Sequence, residues 1–119
     1  MREPVRDKGR LEHILSASEN ITEFVSGKSE EDFSQDKLLF FAVVKNIEII
    51  GEAANKLTAE FRVSHPEIDW NSIIGMRHVL VHDYYTIKPH IAWMTAIDNI
   101  PLLREQIKTL LSEMTNVHL

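Results

Sequence analysis

Hydrophobic positions recur along this chain with the period of an α-helix, and no stretch alternates as a half-buried strand would. From about Asp7 to Ser26, one face carries Leu11, Ile14, Leu15, Ser18, Ile21, Phe24 and Val25, with a single serine in the stripe. Gly27 is a natural stop, because glycine accepts the left-handed conformation that ends helices. The segment KSEEDFS reads as a crossover. A second helix is predicted from Ser34 or Asp36 to about Leu57. It is apolar on more than one side, through residues such as Leu38, Phe41, Val43, Ile47, Ile50 and Ala54, as expected of the central helix of a bundle. Gly51, Ala53 and Ala54 are small enough to let a neighbouring helix approach closely. Thr58 is placed as the cap of a short helix ending before His65-Pro66.

Asp69 is a good N-cap for a helix starting at Trp70 and ending between His82 and Tyr85. Thr86 is the expected cap of the next helix, with Pro89 tolerated in its first turn. Pro101 either kinks that helix or starts a fresh one capped by Asn99, and Leu102, Leu103, Ile107, Leu110, Leu111 and Met114 continue the apolar face. The fold class is all-α: a single-domain, up-and-down helical bundle spanning residues 1–119, with four to six helices depending on how breaks are counted.

Composition narrows the functional classes. The 119 residues are enough for one domain, and a hydrophobic content of 44% fits one buried core. Cysteine is absent, which excludes a disulfide scaffold, a thiolate metal site and a cysteine nucleophile, and fits a reducing compartment. The N-terminus MREPVRDKGR lacks the apolar run of a signal peptide, and LLFFAVV at 38–44 is too short to span a bilayer. A soluble cytoplasmic protein without a membrane partner is expected. The net charge of -5 argues against a broad basic groove. However, residues 1–36 carry five Lys/Arg against nine Asp/Glu, whereas residues 37–119 carry eight against nine. The acidity lies mostly in the N-terminal third, which leaves room for a local positive site elsewhere.

The most unusual stretch is Gly75 to Tyr85, which gathers Arg77, His78, His82, Asp83, Tyr84 and Tyr85 within a few residues. Structurally, it reads as a helix end, where Arg and His complement the dipole and the tyrosines seal the core. Chemically, it reads as metal-independent phosphodiester cleavage with no cofactor. RNA carries its own 2′-OH nucleophile and needs a base, an acid and a cation for the charged transition state. Histidine suits either proton transfer, and arginine offers planar, always-charged donors.

The spacing Arg77-x-x-x-x-His82-x-Tyr84 resembles the R-x4-6-H signature of HEPN ribonucleases, in the form found in HepT-like toxins. Ile49-Ile50-Gly51-Glu52-Ala53-Ala54 is similar to the family's IIGEA segment. Pro66 to Trp70, Gly75, and Trp93 through Leu102 also stand in family order, so the resemblance covers nearly the whole chain. It implies an endoribonuclease with Arg77 and His82 as catalytic residues and His78 and Tyr84 supporting or binding substrate. It also implies a homodimer with a composite site between subunits, and a minimal nucleotidyltransferase antitoxin that attaches AMP to Tyr84. In one departure, His78 stands where HepT-like proteins usually have asparagine. Independently, five residues on a regular helix separate Arg77 and His82 by about 140°. One subunit therefore cannot easily cup a phosphate between them, whereas a two-fold dimer can.

Other readings use the same residues. His78 and His82 have the spacing of a two-histidine metal site, with His65, Asp83 or His90 as a third ligand, but no H-E-x-x-H pattern supports it and no metal is assigned. Glu48, Glu52 and Asn46 read as helix surface or a bundle-spanning polar bond, with a shell that orients Arg77 as the alternative. Trp70 and Trp93 read as core. A HEPN-type domain can also serve as a non-catalytic module that binds a nucleotidyltransferase.

Overall fold

The computed structural model describes residues 3–83 and 88–116; of 3–5, 79–83 and 115–116 it describes the helical backbone alone. Helix α1 spans Glu3–Val25, α2 Glu30–Gln35, α3 Lys37–Asn55, α4 Ala59–Ser64, α5 Trp70–Asp83, α6 Pro89–Met94 and α7 Ile100–Asn116, with a π-helical turn at Thr95–Asn99 joining α6 to α7. Counting that last stretch as one interrupted helix gives six among the described residues. Among the described residues there is no strand.

Helix α1 buries Leu11, Ile14 and Ile21 completely, as its stripe predicts. Ser18 is equally buried, and its hydroxyl donates to the Ile14 carbonyl at 2.7 Å. A polar group can sit in an apolar face when its hydrogen bond is made locally. The helix begins one turn before the expected Asp7. That residue is buried, and its carboxylate accepts from the Thr58 backbone N–H (2.9 Å) and hydroxyl (2.8 Å). This ties the start of α1 to the start of α4. Gly27, at φ 73°, ends the passage out of α1.

The segment read as a crossover contains a helix. Ser29 caps α2 by accepting from the Asp32 N–H at 3.1 Å, and Asp32 returns the bond to the Ser29 N–H at 3.0 Å. This capping box closes two of the orphan donors that make short helices costly. Phe33 then anchors the six-residue helix, fully buried, with ring centroids 5.7 Å from Phe40 and 5.5 Å from Trp93.

Helix α3 is the hub. It starts where Asp36 accepts from the Leu39 N–H at 3.0 Å, packs against α1 on one side and carries α5 on another. Helix α7 lies against α1. The core between them is built from Leu11, Ile14, Val43, Ile50, Ala54 and Ile107, among others. Asn46 is buried on α3 and accepts from the Asn20 amide at 3.1 Å, which makes it the bundle-spanning polar bond of the first reading.

Thr58 caps α4 and Asp69 caps α5, both as expected. The cap position of α6 falls on Lys88, which makes no side-chain cap bond, and Pro89 occupies the first turn. Thr86 lies outside the described residues. Ahead of Pro101 the helix neither stops nor restarts at an Asn99 cap. Instead, the Ile100 N–H donates to the Thr95 carbonyl five residues back. Proline has no N–H and its ring clashes with the carbonyl four residues earlier, so the turn before it widens.

Candidate functional site

Helix α5 presents the motif, and its N-terminus is firmly set. Asp69 accepts from the Ser72 backbone N–H at 3.2 Å and from the Ser72 hydroxyl at 2.7 Å. The Ser72 hydroxyl, then its N–H, hold the Asp69 carboxyl below the usual carboxylate range, although the side chain is exposed. The buried Trp70 indole N–H donates to the His65 carbonyl at 2.9 Å, fixing the helix start against α4. Trp93 is likewise core, against Phe33.

Arg77 lies on the side of α5 that meets α3. It is half-buried, and the residue opposite is Gly51. A Cβ built on Gly51 would overlap the Arg77 Cβ and stand 3.0 Å from both the Arg77 Cγ and the Ile73 carbonyl oxygen. The arginine stem therefore rests on bare α3 backbone. Its Nε is buried, and among the described residues it is the buried side-chain nitrogen or oxygen that lacks a hydrogen-bond partner. Leaving such a donor unpaired costs about 1–3 kcal/mol. That cost is a reason to ask what Arg77 is held for.

His78 is exposed. His82 belongs to the regular α5 backbone, so the separation of about 140° from Arg77 holds for this helix. The His82 side chain and the whole of Tyr84 lie outside the described residues, as does Tyr85. His65 faces Glu67 at 3.2 Å and His90 faces Glu30 at 2.8 Å, each on a different element from His78. Among the described residues no group of three or more His, Cys, Asp or Glu gathers as a metal ion would need.

Among the described residues, neither Glu48 nor Glu52 forms an ion pair with Arg77. Glu48 pairs with Lys45 at 3.1 Å and Glu52 with Lys56 at 3.4 Å, both along the surface of α3. The residue of the Ile49–Ala54 segment that meets Arg77 is the glycine. Sequence reading marked Gly51 as small but did not pair it with the arginine. The available signal was a glycine inside a long helix, where it costs about 1 kcal/mol relative to alanine and needs a reason. A separate cavity of about 350 Å³ opens between α3, α5, the π turn and α7, floored by Ile47, Ile50, Ile73 and Met76; Arg77 does not line it.

The model of the family described as ribonuclease HepT-like matches residues 14–110. A protein of Caldanaerobacter subterraneus subsp. tengcongensis named "Putative RNase TTE0752" is 44% identical over 103 residues, covering 87% of this chain and 92% of its own. One of Thermococcus cleftensis named "Probable ribonuclease HepT" is 39% identical over 103 residues, covering 87% and 94%. A Methanocaldococcus jannaschii protein named "Gamma-glutamylcyclotransferase and putative RNase MJ0434" is 38% identical over 104 residues, covering 87% of this chain but 47% of its own. No solved structure matches the chain. The match spans α3, α5 and the motif that α5 carries, and the chain belongs to the ribonuclease HepT-like family.

Proposed function

We propose that the protein is a metal-independent endoribonuclease that acts as the toxin of a toxin–antitoxin pair in the cytoplasm. The observation that carries this reading is Arg77. The helix that bears His82 also bears a cation whose stem is fixed against α3, and whose guanidinium makes no ion pair among the described residues. In the reaction, His82 of one subunit takes the proton of the 2′-OH. The freed oxygen attacks the adjacent phosphorus, and the P–O5′ bond breaks. The second His82 of a homodimer gives a proton to the leaving 5′-oxygen. The products are a 2′,3′-cyclic phosphate and a 5′-hydroxyl, and no net proton is gained or lost. Arg77 binds the phosphate oxygens as negative charge builds on them, with donors matched to that geometry. His78, the next residue along the helix, is assigned a supporting or substrate-binding role.

The test is incubation of the protein with RNA in excess EDTA. Cleavage should persist with chelator and disappear in Arg77→Ala and in His82→Ala. Loss with EDTA, or survival in both variants, would count against the reading.

The antitoxin half of the proposal assigns Tyr84 as the point where a minimal nucleotidyltransferase partner attaches AMP. A tyrosine phenol has a reference pKa of about 10, too high for acid–base work near neutrality. A nucleotide on it would set negative charge and bulk close to the phosphate site. After co-expression with a neighbouring nucleotidyltransferase, intact mass should rise by one or more AMP units, and Tyr84→Phe should abolish the gain. A gain that persists in that variant would remove Tyr84 from this role.

A further inference from the structure

We propose that Gly51 is a positioning residue for Arg77, a role that rests on the ribonuclease reading for its consequence but not for its geometry. Two independent observations meet at this point. A Cβ at residue 51 would occupy the space taken by the Arg77 Cβ, with the Arg77 Cγ and the Ile73 carbonyl both 3.0 Å away. Separately, the Arg77 Nε is buried, and among the described residues nothing accepts its hydrogen.

Glycine lets α5 settle onto α3 until the arginine stem lies against backbone. At that depth the inner N–H of the guanidinium is lost to water, and the terminal Nη groups are the part left to bind a phosphodiester. An arginine bound through its Nη pair meets phosphate end-on, and its approach is set by where the stem is clamped. A methyl group at residue 51 would lift Arg77, free its Nε and shift the Nη pair by a distance of the order of an ångström. A misplacement of that size costs roughly 100-fold in rate when the group is needed in the transition state. Gly51 itself touches no substrate. It acts through the arginine.

The test begins with the wild-type protein carrying ¹⁵N-labelled arginine. The Arg77 Nε–H resonance, assigned by its loss in Arg77→Lys, should exchange with water far more slowly than that of free arginine. In Gly51→Ala it should exchange at the free rate. With RNA as substrate, Gly51→Ala should lower kcat and kcat/KM together by roughly 100-fold, the signature of a contact made in the transition state. Ala17→Gly, an equally local change on α1, should lower the melting temperature and leave kcat unchanged.

The proposal is overturned if wild-type Nε–H exchanges as fast as free arginine. It is also overturned if Gly51→Ala changes neither exchange nor kcat. Should Gly51→Ala not fold, wild-type protection or its absence decides. Should the protein cut no RNA, the exchange comparison still decides while the ribonuclease reading fails on its own.

Discussion

Asp69 shows what one exposed side chain can fix. Both its carboxylate oxygens are engaged by Ser72, and its pKa in the folded protein lies below the ordinary value of 3.8. A depressed pKa means that the cap contributes stability above the unfolded value and loses it as pH falls through the folded one. The melting temperature of the wild type should therefore drop more steeply below about pH 4 than that of Asp69→Asn, whose amide caps without a charge to lose. Parallel curves in thermal melts across that range would show that the carboxylate is immaterial. Asp69 and Thr58 were legible in the sequence because a cap is a local bond, made within three residues of itself. The meeting of Gly51 and Arg77 was not, because it depends on the depth at which two separate helices cross.

At the scale of elements, the apolar stripes of α1 and α3 were enough to find both helices. Helix α2 escaped because six residues with one buried side chain carry no period. The π turn escaped for another reason: periodicity shows which face is apolar, not how many residues a single turn takes. The helices also carry glycines that no packing requires. Gly9 lies within α1, and a Cβ there would meet nothing within 4 Å. Gly9→Ala should stabilise the fold by about 0.5–1 kcal/mol, since alanine loses less freedom on entering a helix. Chemical denaturation should show a higher midpoint with the same slope; an unchanged or lower midpoint would mean that the first turns of α1 are not helical in solution.

The whole molecule measures 47 × 29 × 23 Å, and α3 leaves Leu38 (82%), Phe41 (52%) and Ile49 (37%) exposed on its surface. Such residues on a central helix are what the proposed homodimer would cover. Sedimentation at micromolar concentration should give the mass of two chains, and a monomer would remove the composite site. If the site is shared, mixing wild-type with subunits that carry both Arg77→Ala and His82→Ala should lower cleavage as the square of the wild-type fraction, because a mixed dimer keeps one His82 where the reaction uses two. This part of the site was only half legible. The angle between the two residues followed from helix geometry alone, whereas the surface that would bring two chains together is tertiary.

The bare backbone at Gly51 has a meaning for heredity as well as for shape. Every single-base change in a glycine codon either leaves glycine, stops the chain or adds at least a Cβ. At Gly51 the smallest of those additions already collides with the arginine across the helix interface. No neighbouring genotype offers a slightly worse version of this contact. A lineage can abandon it or keep it, and the position has no gradual path along which to drift.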